Sequence, residues 1–224
     1  MGLKESGLRG SLRNVSVGID AIPDSAIAQY DATQESYADG ESFSTITDQI
    51  GGADMTGGSG EFTSSGIGGN ASYDLQGFSD LFSAGGDLII QDSYTVLAVI
   101  DLVDDSSQSR VLDRDSNSFT LYWNDGNDWG HIGPSGDLVS GSTNSSVGIL
   151  GATKDGAEQT IREDGSETGS ITDAATGSSS EPNIQGVDAW NGLIGEIIFY
   201  DPVLSSSELE DEEQRLANKW GISI

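Results

Sequence analysis

The residues with the clearest chemical potential lie close together. Tyr122-Trp123-Asn124-Asp125, followed by Asn127, Asp128, Trp129 and His131, set aromatic rings beside amide, carboxylate and imidazole groups. Sugar recognition uses that combination: a ring covers the apolar side of a pyranose while a few placed polar groups bond its hydroxyls. The segment is therefore the expected glycan site. Its structural alternative is that Tyr122 and Trp123 alternate in and out of a strand, one filling the core. Cleaving a glycosidic bond would instead need two carboxylates about 5–9 Å apart. Those acids would sit at alternate positions of one strand, so that both point into a cleft. The best strand patterns carry single acids, Asp101 and Glu196, and the dense acidic run 208–213 falls on a helical pattern. Catalysis is not expected. His131 is the single histidine, which leaves no choice of base for a Ser-His-Asp arrangement, and it reads as a packing residue or loop contact.

The elements that must position these side chains are mostly strands. Residues 94–102 (Tyr-Thr-Val-Leu-Ala-Val-Ile-Asp-Leu) are β-branched, aromatic and apolar on both faces, as in the core of a sandwich. Further strands are expected at 27–30, 42–47, 60–63, 110–112, 119–123, 147–152, 159–163 and 192–200, at the spacing of an all-β sandwich. Asp125-Gly126, Asp155-Gly156 and Asp164-Gly165 read as hairpin turns. One helix is expected, after Ser205. Ser205 with Glu208 makes a capping box, and Gly221 ends it. Leu209, Leu216 and Trp220 fall on one stripe that would dock on the sandwich, leaving an acidic face in water. No repeat of fixed period is visible.

The charge balance bounds the function. Against 37 Asp and Glu stand 9 Lys and Arg, a formal net charge of −28. Such a surface repels itself in dilute buffer. In molar salt the Debye length falls to about 3 Å and the repulsion is nearly switched off. That composition fits a high-salt environment. With 35% hydrophobic residues and clear apolar runs, disorder is not expected. A nucleic-acid partner is not expected either, because phosphate binding needs a basic patch. No run approaches the ~20 apolar residues of a membrane span, so membrane insertion is not expected. No apolar secretory core follows the N-terminus. The chain has no cysteine, so no disulfide or thiol chemistry enters.

Residues 1–25 read as an arm or anchor, and residues 26–224 as one domain. In the arm Lys4, Arg9 and Arg13 face only Glu5 before Asp20, while Leu3, Leu8, Leu12 and Val15 recur at roughly helical spacing, interrupted by glycines. Leu3, Lys4, Leu8, Arg9, Leu12, Arg13 and Val15 are the expected assembly contacts, seated on an acidic partner subunit.

Several segments, taken in order, resemble the concanavalin A-like, LamG-type jelly roll. They are Ala28-Gln-Tyr-Asp-Ala32, Ile46-Thr-Asp-Gln-Ile-Gly51, residues 94–102 and Lys154-Asp-Gly156. The closing run is the most specific. It is Gly192-Leu-Ile-Gly-Glu-Ile-Ile-Phe-Tyr-Asp-Pro-Val-Leu204, then a helix ending Leu216-Ala-Asn-Lys-Trp-Gly221. The resemblance implies a jelly-roll β-sandwich over about residues 26–222. It also implies calcium held by carboxylates, for which Asp104, Asp105, Asp113 and Asp115 are candidates, with Asp125 and Asp128 a further pair. A second resemblance is carried by Gly2-Leu-Lys-Glu-Ser-Gly-Leu-Arg-Gly-Ser-Leu-Arg-Asn-Val-Ser16 and Ala21-Ile-Pro-Asp-Ser25. These are similar to the opening of structural proteins from haloarchaeal tailed viruses. The expected function is accordingly a non-enzymatic virion structural protein, in a capsid turret, spike or tail fibre. As such it would be homo-oligomeric, at the virion surface and among other virion proteins. The alternative is a lectin-like module that binds host-surface glycans, and a glycoside hydrolase stands last.

Overall fold

The computed structural model describes residues 22–76, 81–84, 88, 90, 93–103, 108–113, 120–124, 128–132, 138–144, 146, 148–172, 182–184 and 190–224. The arm residues 1–21 lie outside these, as do Asp104, Asp105, Asp115, Asp125 and Asn127. The strands are β1 (Ala26–Asp31), β2 (Ser42–Ile46), β3 (Met55–Thr63), β4 (Ser72–Asp74) and β5 (Phe82–Ser83). Then follow β6 (Ser93–Leu102), β7 (Ser109–Leu112), β8 (Thr120–Trp123), β9 (Trp129–Ile132) and β10 (Leu138–Ser140). The rest are β11 (Ile149–Asp155), β12 (Glu158–Glu163), β13 (Ser166–Thr172), β14 (Asn183–Ile184) and β15 (Gly192–Tyr200), before the helix α1 (Ser206–Trp220). A short 3₁₀ turn, Ala32–Gln34, follows β1. The protein is an all-β sandwich with a C-terminal helix.

The large sheet runs β13-β12-β11-β6-β15-β4-β3-β5-β14, and a smaller one runs β10-β9-β8-β7. The described strand pairings are antiparallel. β15 has β6 along one edge. Its other edge is shared: β4 takes Leu193 and Ile194, and β1 takes the stretch from Glu196 to Tyr200.

Period-two alternation splits the central strands between two cores. From β6, Tyr94, Val96, Ala98 and Ile100 enter the space between the sheets with Leu121, Trp123 and Trp129. Leu97 and Val99 face the opposite way, onto Leu209, Leu216, Ala217 and Trp220 of α1. The strand is apolar on both faces because one side meets the second sheet and the other meets the helix.

Local chemistry sets the ends. Ser205 accepts from the Glu208 amide while the Glu208 carboxylate reaches back to the Ser205 amide, the expected capping box. Gly221 closes α1 at φ +68°. Asp164 (φ +45°) and Gly165 (φ +80°) make the turn between β12 and β13. β13 was not foreseen, because its residues are mostly polar and its exposed, edge position asks for no apolar alternation.

Two acids depart from the expected wet face of α1. Glu212 and Glu213 are buried, and each meets an arginine: Arg215 Nη2 lies 2.8 Å from Glu212, and Arg162 Nε 2.7 Å from Glu213. No helix among the described residues is long and apolar enough to cross a membrane.

Candidate functional site

The aromatic hairpin does not present rings to a ligand. Trp123, Trp129 and His131 are fully or almost fully buried, and Tyr122 is buried too. Trp123 and Trp129 meet edge to face at 5.1 Å and pack with Trp190 in the inter-sheet core. The Tyr94 hydroxyl and His131 Nε2 lie 2.9 Å apart, a hydrogen bond from the large sheet to the small one. Alternation failed as a guide because β8 is covered on both faces: its burial is continuous from Thr120 to Trp123. The expectation of an exposed aromatic platform is therefore corrected to a core. At its edge, Asn124 Nδ2 donates to Asp128 Oδ1 at 3.1 Å and its backbone N–H to the Asp128 carbonyl at 2.9 Å. Asp113 is turned to Arg110 Nη1 (2.9 Å) and Thr120 Oγ1 (3.0 Å), so both its carboxylate oxygens are engaged by protein donors. Among the described residues no three acidic or histidine side chains gather as a metal-ligand set.

A different set of residues converges on a cleft of about 510 Å³ between β1, the loop after β2, and the last turns of α1. It is built from an ion network at its floor. Glu196, fully buried on β15, accepts from Gln29 Nε2 at 2.7 Å, Arg215 Nη2 at 3.1 Å, Lys219 Nζ at 2.6 Å and Trp220 Nε1 at 3.0 Å. Burial pushes the Glu196 carboxyl up. Arg215, Lys219 and the donated N–H groups outweigh that and hold it below the ordinary glutamate value. Tyr200 donates its hydroxyl to Glu212, and burial with that neighbouring charge keeps the phenol protonated far beyond its usual range.

Asp31 joins the helix to the sheet. Its Oδ2 accepts from Lys219 Nζ at 2.6 Å, and its Oδ1 caps the 3₁₀ turn through the Thr33 amide (3.0 Å) and hydroxyl (2.8 Å). That turn carries Gln34 to one rim of the cleft. The other rim is set by Asp48, whose carboxylate accepts backbone N–H groups from Gln29, Ile50, Gly51 and Ala53 at 2.9–3.0 Å. Four such bonds hold the 48–53 turn rigidly. They place Gln49 over the cleft, and its amide donates to the Gln29 carbonyl at 2.8 Å. Gly51 is required there, since a Cβ would stand 2.6 Å from the Ile27 carbonyl. Ile22 supplies an apolar edge.

These lining residues were not foreseen as a site. The signal was nevertheless present, for Gln29 and Asp31, Gln49, and Lys219 lie in three of the segments that carry the jelly-roll resemblance. The fold brings those three segments to one place. Over that buried floor the cleft offers donors (Lys219, the Gln34 and Gln49 amides) beside acceptors (the carbonyls of those glutamines), a hydrogen-bonding surface without an exposed ring.

No family model and no curated protein sequence matches the chain. Solved structures do, at identities that establish fold alone. A Trypanosoma rangeli sialidase in complex with sialic acid matches at 13% identity over 91% of this chain, with a TM-score of 0.57. The chain spans 34% of that sialidase's length. Domain 4 of AbnA, a GH43 extracellular arabinanase from Geobacillus stearothermophilus solved with arabinotriose, matches at 17% identity. There the overlap is 83% of this chain and 97% of that domain, with a TM-score of 0.53. The binding domain of botulinum neurotoxin serotype D/C matches at 9% identity over 90% of this chain and 56% of that one, with a TM-score of 0.62.

Proposed function

We propose that this chain is a non-catalytic carbohydrate-binding module that works in a high-salt environment. The observation that carries the reading is the cleft between β1 and α1, where donors and acceptors converge on a rigid floor. The fold supports it, since domain 4 of AbnA, a domain of similar extent, was solved with arabinotriose, and a botulinum neurotoxin D/C binding domain was solved with SialylT. A non-catalytic role is supported by the acid at the floor. A general acid needs a raised pKa, whereas Glu196 is held low and its oxygens are engaged by Gln29, Arg215, Lys219 and Trp220. The full chain should bind at least one of arabinotriose, lactose and sialyllactose in about 3 M NaCl, read by saturation-transfer NMR, without hydrolysing it. Absence of binding to all three sinks the reading.

A second reading rests on residues 2–16 and 21–25, which resemble the opening of haloarchaeal tailed-virus structural proteins. In it the module is displayed on a virion, as a turret, spike or tail-fibre part, and host glycan is its target. The cationic, apolar arm then seats on an acidic neighbour. In molar salt its exposed ion pairs are screened, so the apolar residues Leu3, Leu8, Leu12 and Val15 carry the contact. Deleting residues 1–21 should leave the sandwich folded and abolish multimerisation, measured by light scattering at molar salt. An unchanged oligomer would show that the sandwich makes the assembly.

A further inference from the structure

From the charges that meet at the cleft between β1 and α1, we infer that its ligand is a neutral sugar chain, read by Gln34, Gln49 and Lys219, and that sialylated glycans are excluded. This deepens the carbohydrate-binding reading and rests on it.

The floor holds three carboxylates, Asp31, Glu196 and Glu212, against two cations, Arg215 and Lys219. Each cation is already within 3.1 Å of two carboxylates. No positive charge is left over for a ligand carboxylate. The two cations neutralise two acids, one negative charge remains, and the chain as a whole carries a net −28. A sugar acid entering here would lose hydration without gaining a counter-charge, and such desolvation is costly unless it is paired. Molar salt relieves repulsion between exposed charges but screens buried groups far less, so the floor keeps its sign.

Hydroxyls face no such barrier. Each both donates and accepts, which suits a surface where the two roles alternate. Lys219 has three N–H donors. Two go to Asp31 and Glu196 at 2.6 Å, and the side chain is about one-fifth exposed and lines the cleft, which leaves the third for a hydroxyl oxygen. Gln34 and Gln49 are exposed at the two rims. Their side-chain amides are held only weakly by the protein, at 3.4 Å to Thr33 Oγ1 and 3.3 Å to the Thr47 carbonyl. Both amide groups are thus available to exchange these contacts for sugar hydroxyls. Asp31, by contrast, is buried with both carboxylate oxygens engaged by Lys219 and Thr33, and it holds the Lys219 ammonium at the cleft.

The test keeps the floor intact, because removing Lys219 or Asp31 would loosen the helix. The double variant Gln34→Ala, Gln49→Ala changes only exposed rim residues, and an unchanged thermal melt would confirm its fold. The full-length protein and this variant are titrated with arabinotriose, lactose and sialyllactose in about 3 M NaCl. The expected result is that a neutral sugar binds the wild-type chain at least about tenfold more tightly than sialyllactose. The double variant should weaken that neutral binding about tenfold. If a sugar binds and the double variant binds it as well as the wild type, the cleft is not the site, although the carbohydrate reading survives. Loss of binding in Asn124→Ala, Asp128→Ala instead would overturn the assignment in favour of the hairpin. Sialyllactose binding as tightly as the neutral sugars would overturn the exclusion of anions. Binding of none of the three overturns the carbohydrate reading itself.

Discussion

At the scale of the residue, the deciding feature is where the few cations stand. Among the described residues, Lys154 is fully buried and Arg162, Arg215 and Lys219 are tied to acids at the helix–sheet junction. Glu196 is the hub of that junction. A carboxylate buried without partners would be neutralised, but four donors keep this one ionised. The sign of the linkage follows. Because Glu196 is held below its ordinary value, the stability it contributes is present above the unfolded glutamate pKa. That stability is lost as pH falls through the lower folded one. Asp164 works in the opposite direction, since burial raises it, so the comparison must be between proteins differing only at residue 196. Glu196→Gln should cost about 3 kcal/mol at neutral pH, because Arg215 and Lys219 lose a buried counter-charge. Below about pH 4 the difference from wild type should shrink. Thermal melts of both proteins between pH 7 and pH 3 measure this. A gap that stays constant across the range would mean that Glu196 contributes packing and not charge.

At the scale of the element, much was legible and the reasons for the rest are physical. The helix announced itself through Ser205, Glu208, Gly221 and one apolar stripe, all local signals. β6 and β15 announced themselves by length and β-branching. What the helix docks on was not local information. Gly195 sits where the register between β15 and β6 slips, between Ile194 and Glu196, and a Cβ there would lie 2.7 Å from the Trp220 ring. The missing side chain is the seat for the indole, yet in the sequence it is one glycine among 31. The pair Arg162–Glu213 joins residues 51 apart, so the acidic helix face reads as wet until its partner strand is in place. The aromatic hairpin was misjudged for a related reason. A strand covered on both faces loses the alternation that separates core rings from exposed ones. The cleft was the least legible part, because Asp31 and Lys219 are 188 residues apart and each looks ordinary alone. Fold elements are written in near-neighbour patterns, while this site is written in contacts the chain makes only after folding.

At the scale of the molecule, burial of the cations sharpens what net charge implies. The basic side chains of Arg110, Arg162, Arg215 and Lys219 are at most 22% exposed, and Lys154 is wholly covered. The described surface is therefore almost purely anionic, with little attraction to offset its self-repulsion. At about 0.1 M salt the Debye length is about 10 Å, long enough for neighbouring carboxylates to repel; at about 1 M it is about 3 Å. Added salt should thus relieve the surface while leaving the buried network of Glu196, Arg215 and Lys219 nearly untouched, since enclosed pairs are screened less. The melting temperature should rise steadily between about 0.1 and 3 M NaCl. Exclusion of salt from the protein surface also stabilises proteins in general, so a charge-reduced variant is needed to isolate the electrostatic part. Asp155, Glu210 and Asp211 are exposed. The variant Asp155→Asn, Glu210→Gln, Asp211→Asn should melt higher than wild type in dilute buffer and gain less from added salt. Scanning calorimetry of both proteins across the series decides the matter. Equal gains in the two would assign the salt effect to surface exclusion, and a wild-type melting temperature unchanged by salt would end the argument for a salt-adapted surface.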